Sequence, residues 1–200
     1  MKKGIILLLG LLLVSGYSCK EAKKEAEEAA GEVEAAAEEG MDKMKDMAMG
    51  EKTLTLTMEP KSESNVQGMV TFTEKDGKVT MHGTFSGLTP GEHAIHLHET
   101  ADCSAPDGTS TGGHWNPTSE PHGKWGAETG FHKGDIGNFT ADADGNAMVH
   151  FETDQWCIGC GEPNKDILGK AVIVHQGTDD FTTQPTGAAG ARISCTAVIE

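Results

Sequence analysis

The chain has 200 residues and a formal net charge of −15 at pH 7, with 31 Asp and Glu residues against 16 Lys and Arg residues. This length is enough for one domain of about 100 to 150 residues together with additional segments. The excess of acidic groups argues against a nucleic-acid partner, because nucleic-acid binding depends on Lys and Arg side chains that neutralise phosphates.

The first 19 residues have the pattern of a secretory signal. Two lysines precede an apolar run at residues 5–14, which is too short to cross a bilayer because a spanning helix needs about 20 residues. Small residues then lead to Cys19, as at a bacterial lipoprotein processing site, although Gly16 stands where Leu or Val is usual. We expect export, a lipidated Cys19 and membrane contact only through this lipid. Plain secretion with a spare cysteine is the alternative.

Residues 20–52 have the composition of a linker. They are rich in Ala, Glu and Lys, and Val33 is their only large aliphatic residue besides methionine, so they cannot bury a core. Four methionines lie close together near the end of this linker: Met41, Met44, Met47 and Met49. A flexible tether is the simplest interpretation, and a soft thioether site for Cu(I) is the alternative.

Residues 53–200 have the pattern of an all-β domain. Eight short segments alternate polar and apolar residues or are rich in β-favouring residues: TLTLTM, VQGMVTF, KVTMHGTF, HAIHLHE, IGNFTAD, NAMVHFE, KAVIVH and RISCTAVI. EKDGK predicts a turn between the second and third segments, and Asp144-Gly145 predicts a hairpin between the fifth and sixth. Without a convincing helix, this pattern predicts an eight-stranded antiparallel Greek-key sandwich or flattened barrel.

Two predicted connections are much longer than a hairpin needs. They span residues 100–135 and 176–191, and both are rich in Gly, Pro and polar residues. Long irregular loops in a compact domain usually carry function. We therefore expect the chemistry of this protein to lie in these two loops.

Histidines gather on one predicted strand and in the first long loop. His96 and His98 are separated by one residue in HAIHLHE, so their side chains lie on the same face of the strand and can bind one ion. Further candidate ligands follow along the chain: His114, His122, His132, Asp135 and His175. Histidine is not a favoured core residue, and imidazole suits copper and zinc, so this set indicates a metal centre.

The motifs GEHAIHLHE, GGHWNP, PHG, FHKGDIGN, VIVHQGTDD and GAAGARISC occur in this order, and residues 53–200 resemble the copper/zinc superoxide dismutases of the exported bacterial lipoprotein type. The resemblance implies an enzyme that dismutes superoxide and carries one copper and one zinc ion per chain. The implied copper ligands are His96, His98, His114 and His175. The implied zinc ligands are His114, His122, His132 and Asp135. One imidazole would thus bridge two ions, which its two ring nitrogens allow.

The resemblance also implies roles for residues beyond the ligands. His114 would be catalytic, taking up and delivering a proton. Asp179 would bridge a copper histidine and a zinc histidine through hydrogen bonds. Arg192, the only arginine in the chain, would attract and orient the superoxide anion, and Thr186 would lie on the other side of the channel rim.

An exported chain meets an oxidising compartment, so its four remaining cysteines are disulfide candidates. The resemblance pairs Cys103 with Cys195. Cys157 and Cys160 form a CxxC motif, for which a local disulfide, a redox dithiol and a soft-metal pair are all open.

Two departures from the family pattern affect the second long loop. It contains no lysine, and Ala188 stands where Asn is usual in the glycine-rich turn, so the strength of long-range anion steering is open. His82, His93 and His150 fall outside both ligand sets. We expect them to be surface or hydrogen-bonded residues, with His93 bracing a loop.

Superoxide dismutation in the periplasm or cell envelope is the predicted function. A non-catalytic copper-binding or copper-delivery protein on the same scaffold is the alternative. A zinc hydrolase is weaker still, because no general-base carboxylate beside an open zinc position can be named. Superoxide is the expected partner, and a homodimer is one option for assembly.

Overall fold

The computed structural model describes residues 50–200 and confirms the all-β prediction. The predictions for the signal, for Cys19 and for the methionine cluster lie outside the described residues. The strands are β1 (Lys52–Pro60), β2 (Gln67–Lys75), β3 (Lys78–Ser86), β4 (Gly91–His98), β5 (Gly137–Ala141), β6 (Ala147–Thr153), β7 (Ala171–His175) and β8 (Arg192–Ala197). One 3₁₀ turn, Thr109–Thr111, is the only helical element among residues 50–200. No helix in this described part is long and apolar enough to cross a membrane.

The eight strands form one antiparallel sheet in the order β5-β4-β7-β8-β1-β2-β3-β6. The first three strands are sequential neighbours, whereas β4 lies between β5 and β7, and β8 returns to pair with β1. The two ends of this order, β5 and β6, contact each other, so the sheet is rolled into a nearly closed barrel. The predicted fold class is thereby confirmed.

The turn between β2 and β3 agrees with its sequence signal. Asp76 and Gly77 have φ angles of 51° and 75°, and Lys75 pairs with Lys78 on either side of them. A two-residue type I′ hairpin needs positive φ at both central positions, which Asp-Gly readily supplies.

The predicted hairpin at Asp144-Gly145 is wrong. The strands on either side of it do not pair with each other, since β5 pairs with β4 and β6 pairs with β3. The turn is closed locally, with the Asp142 N–H donating to the Asn146 carbonyl at 2.8 Å, and it is also joined to a distant residue, because the Leu88 N–H donates to the Gly145 carbonyl oxygen at 3.2 Å. A Cβ on Gly145 would lie 2.4 Å from the Leu88 carbonyl oxygen, so only glycine allows this approach. The turn therefore carries the chain from one end of the strand order to the other.

Alternating side chains fill the interior of the barrel. Phe72 and Met81 from the β2–β3 side meet Ile95 and Leu97 from β4, and all four are fully buried. Burial of each such side chain contributes about 1.5 to 3 kcal/mol relative to exposure. Strand β4 is buried on both faces, because the long loops cover the face that carries His96 and His98.

Candidate metal centre

Backbone pairing places the first long loop against β4. The Leu97 carbonyl accepts from the Trp115 N–H at 2.8 Å, and the Leu97 N–H donates to the Gly134 carbonyl at 2.9 Å. A Cβ on Gly134 would lie 2.2 Å from the Leu97 carbonyl oxygen, so this close approach of the two backbone segments requires glycine. His114 is thereby bridged to His98 through the backbone, directly beside the histidines of β4.

The first group of side chains, called the copper group below, consists of four buried imidazoles whose ligand nitrogens lie within 4.8 Å of one another: His96, His98, His114 and His175. Three of these rings are oriented by a hydrogen bond from one ring nitrogen to an acceptor outside the group. His96 Nε2 donates to Asp179 Oδ2 at 2.9 Å, and His98 Nδ1 donates to the Gly112 carbonyl at 3.0 Å. His175 Nδ1 donates to the Gly190 carbonyl at 3.3 Å. The opposite nitrogens of these rings converge, with His98 Nε2 and His175 Nε2 only 3.3 Å apart.

The second group surrounds one buried carboxylate, and its members are His114, His122, His132 and Asp135. Asp135 Oδ1 lies 2.9 Å from His114 Nδ1 and 3.3 Å from His132 Nδ1, and Asp135 Oδ2 lies 2.9 Å from His122 Nδ1. Backbone N–H groups of His132 and Gly123 donate to Oδ2 at 2.8 Å and 3.2 Å and fix the carboxylate. These two groups contain the same residues as the two predicted ligand sets.

Asp179 joins the two groups. Its Oδ2 accepts from His96 Nε2 at 2.9 Å, and its Oδ1 accepts from His122 Nε2 at 2.8 Å. The Asp179 backbone is locked by a reciprocal pair of 2.8 Å hydrogen bonds with the Asn138 side chain. A Cβ on Gly187 would lie 1.8 Å from Asp179 Oδ1, so glycine is needed where the second long loop closes over this carboxylate.

Two buried ring nitrogens in the two groups, His96 Nδ1 and His114 Nε2, have no hydrogen-bond partner among residues 50–200. A buried polar atom without a partner costs about 1 to 3 kcal/mol, so two in one small volume need an explanation. Bound metal ions would provide it, because both nitrogens belong to residues of the two groups. Four imidazoles suit copper, and three imidazoles with one carboxylate suit tetrahedral zinc.

The pKa directions of His98, His114 and His175 agree with metal binding, whereas that of His122 favours a proton in the metal-free protein. Burial, followed by neighbouring histidines, holds the pKa of His98 and of His175 well below the ordinary value. Burial also lowers the pKa of His114 to about 4, although Asp135 opposes this shift. Burial alone would lower the pKa of His122, but hydrogen bonds to Asp135 and Asp179 outweigh it and raise the pKa to about 9. His98, His114 and His175 are thus neutral at pH 7 and present lone pairs to a metal.

Arg192 begins β8 directly opposite His175. Its guanidinium donates to the Gly108 carbonyl at 2.7 Å, to Thr111 Oγ1 at 2.8 Å and to the Gly112 carbonyl at 2.8 Å. The Gly112 carbonyl also accepts from His98, so the arginine and one histidine of the copper group share an acceptor. Arg192 is half-buried, and its charge helps to lower the pKa of His98 and of His175.

A cavity of about 280 Å³ lies beside Arg192, lined by Ser62, Asp107, Thr109, Gly190, Ala191 and Arg192. Asp107 brings a negative charge to this cavity and raises the pKa of Arg192, although burial lowers that pKa overall. Thr186 is half-buried in the second long loop and does not line this cavity, so its place on the channel rim stays a prediction. The sequence contains no local signal for the positions of Asp107 or Thr111.

Both cysteine pairs form disulfides. Cys103–Cys195 ties the first long loop to β8, and Cys157–Cys160 closes a short loop between β6 and β7. The Cα atoms are 6.0 Å apart in each pair, within the usual disulfide range. Of the alternatives for the CxxC motif, the structure therefore shows the local disulfide.

His93 lies behind the copper group and is almost fully buried. Its Nδ1 donates to the His175 carbonyl at 2.9 Å, and its Nε2 lies 2.8 Å from the Thr89 carbonyl oxygen and 3.2 Å from Thr89 Oγ1. It therefore braces the end of β7 against the loop before β4. His82 and His150 are exposed on the opposite part of the strand order.

A family model described as copper/zinc superoxide dismutase matches residues 66–199. The crystal structure of a double mutant of a SOD-like protein from Bacillus subtilis is 32% identical, with a TM-score of 0.66, over 73% of this chain and 97% of that one. The crystal structure of the clock protein EA4 is 34% identical, with a TM-score of 0.63, over 72% of this chain and 92% of that one.

Proposed function

The chain belongs to the copper/zinc superoxide dismutase family, and from this premise we propose that it converts superoxide to oxygen and hydrogen peroxide. The observation that carries the proposal is the position of His114, whose two ring nitrogens face two different ligand groups. Copper would be held by His96, His98, His114 and His175. Zinc would be held by His114, His122, His132 and Asp135.

When bound, copper supplies the one-electron chemistry by which one superoxide is oxidised to oxygen and a second is reduced, with two protons, to hydrogen peroxide. The chain's own residues orient and protonate. His98 and His175 are fixed by backbone carbonyls, and His96 is fixed by Asp179. Nε2 of His114 holds and delivers one of the two protons, while Asp135 fixes the same ring through Nδ1.

Arg192 supplies the positive charge that a superoxide anion requires in an acidic protein. Three of its five N–H donors are committed to Gly108, Thr111 and Gly112, which fixes the plane of the guanidinium. The two other donors can meet a small anion at the adjacent cavity. A fixed, half-buried charge attracts an anion at short range even though the net charge of the chain is negative.

The proposal extends to export and to attachment through a lipid on Cys19, in the periplasm or cell envelope. Two disulfides support this, because disulfides persist in oxidising compartments. Neither nucleic acid nor any membrane contact beyond the lipid is part of the proposed function.

One observation favours a second candidate function, a copper-binding or copper-delivery protein that does not turn over superoxide. Asp107 lies at the cavity beside Arg192 and weakens the attraction of an anion there. Superoxide consumption by protein loaded with copper and zinc separates the two functions, because a carrier would bind the metals and consume nothing.

The variants His114→Ala and Arg192→Gln sharpen this assay. We expect His114→Ala to abolish turnover and to reduce metal content, and Arg192→Gln to reduce kcat/KM about 10-fold or more at unchanged metal content. Arg192→Lys, which keeps the charge, should recover part of this loss. Thr53→Ala, an exposed change on β1, is the control. Full activity of Arg192→Gln would contradict the role assigned to the arginine.

A further inference from the structure

Two histidines outside both ligand groups face each other on the outer surface of the sheet. His82 of β3 and His150 of β6 are paired in register, and both are exposed. Their strand neighbours Met81 and Val149 are buried in the core. Because side chains alternate along a strand, both imidazoles must point to solvent.

The distance between the two rings is that of two ligands on one metal ion. The ring centroids are 4.5 Å apart, and His150 Nδ1 lies 3.2 Å from His82 Nε2. Two nitrogens bound to one ion at the usual 2.0 to 2.1 Å stand about 2.9 Å apart in square-planar geometry and about 3.3 Å apart in tetrahedral geometry. The buried copper group has the same spacing, with 3.3 Å between His98 Nε2 and His175 Nε2.

The surroundings of the pair favour a cation that prefers nitrogen ligands. Glu152, two residues beyond His150 on the same face, is bound to Lys78 at 2.8 Å, so the imidazoles are the free donors there. Met148, two residues before His150, exposes 83% of its surface on the same face and adds a soft thioether nearby. The net charge of −15 raises the local concentration of any cation.

We propose that His82 and His150 form a second metal site, a surface chelate for divalent transition-metal ions that binds Cu(II) more tightly than Zn(II). Copper outranks zinc because nitrogen sites follow the usual order of divalent affinities. Water completes the coordination, since the pair is open to solvent. This site goes beyond the proposed function and does not depend on it, because neither histidine belongs to a buried ligand group.

The competing explanation is an N–H···N hydrogen bond between the two imidazoles, which the same distance allows. A titration decides between the two. The full chain is first loaded with copper and zinc at the buried groups and freed of excess metal. Cu(II) is then added without reductant, while calorimetry follows binding and electron paramagnetic resonance follows the copper spectrum. We expect one further equivalent of Cu(II) with a nitrogen-ligand spectrum, and weaker binding of Zn(II) in a parallel titration.

The variants His82→Gln and His150→Gln should each weaken this further equivalent about 100-fold, the low end of the gain that two linked ligands have over one. Thr84→Ala, an exposed change on β3 beside the site, should leave it unchanged. Because all three positions are exposed, the variants should fold, and thermal unfolding of the loaded proteins checks this. The proposal is overturned if no further equivalent binds, or if it binds equally well in both histidine variants.

Discussion

The substitution Asp179→Asn tests how far one carboxylate organises both metal groups. Asp179 is fully buried and accepts from His96 Nε2 at 2.9 Å and from His122 Nε2 at 2.8 Å. Burial alone would raise the pKa of Asp179, but hydrogen bonds from His122 and His96 hold it well below its usual range. The carboxylate is therefore ionised and accepts at both oxygens. An asparagine of the same shape has one acceptor and one donor, so it can satisfy only one of the two rings.

The expected loss follows from these contacts. Each charge-assisted hydrogen bond to a buried group is worth about 1.5 to 3 kcal/mol, and the amide would also face one imidazole N–H with its own N–H. Loss of such a bond behind a metal-binding histidine lowers metal affinity about 10- to 100-fold. We expect the ring that faces the amide to lose its orientation, so either copper or zinc affinity should fall by this amount.

Competition with chelators of known affinity measures both metals in one preparation. Asp180→Asn is the matched control, because this neighbouring carboxylate is exposed and accepts only from Thr182 and Thr183. It should leave both affinities unchanged. The reasoning is refuted if Asp179→Asn keeps both affinities within about threefold, or if Asp180→Asn weakens either metal as strongly.

Three further predictions concern stability. Cys195→Ala opens a loop of 92 residue steps and should lower the free energy of unfolding by about 4 to 5 kcal/mol in the chain-entropy model. Cys160→Ala opens a much shorter loop and should lower it by about 2 kcal/mol. Urea unfolding without reductant should show this order, and equal losses would contradict it. Ala188 has a φ of 52°, which Asn tolerates better, so Ala188→Asn should raise the free energy of unfolding by up to about 1 kcal/mol. The midpoint of thermal unfolding should rise accordingly, and a lower midpoint would contradict the strain. Burial holds the pKa of His98 and of His175 below the unfolded value of 6.5, so their contribution is fully present above pH 6.5 and is lost as the pH falls. Below pH 6.5 the raised pKa of His122 adds little further pH dependence, so metal-free protein should lose about 1.4 kcal/mol per pH unit for each histidine that stays neutral, and a midpoint that rises between pH 6 and pH 5 would contradict this.

The fold followed from local patterns, except where a tertiary contact decided the pairing. Alternation and turn residues located all eight strands, because both reflect the conformation of a few consecutive residues. Asp144-Gly145 has the composition of a hairpin turn, but that composition specifies only positive φ. Which strand the chain then joins depends on the contact between Gly145 and Leu88, 57 positions away in sequence, and no local pattern contains it.

The candidate site, like the fold, was predicted only in part from the sequence. The side chains that can bind metal have a chemical signature, so the sequence and the family resemblance named residues that the structure brings together in two groups. The resemblance also named Asp179, but the backbone acceptors that orient His98 and His175 have no signature, because any residue carries a carbonyl such as those of Gly112 and Gly190. The loop positions of Asp107 and Thr111 beside Arg192 likewise depend on how the first long loop folds back onto β8.

The carbonyl of Gly112 connects Arg192 to the copper group. It accepts from Arg192 and from His98, so the guanidinium and one imidazole of the copper group are positioned by the same peptide. That peptide belongs to the first long loop, which Cys103–Cys195 ties to the strand that Arg192 begins. A change that moves this loop must therefore shift the arginine and the histidine together, because they share an acceptor. The distance between Arg192 and His98 is thus held by the backbone of one short segment, residues 108–112, whereas the pairing of β7 with β8 holds Arg192 opposite His175.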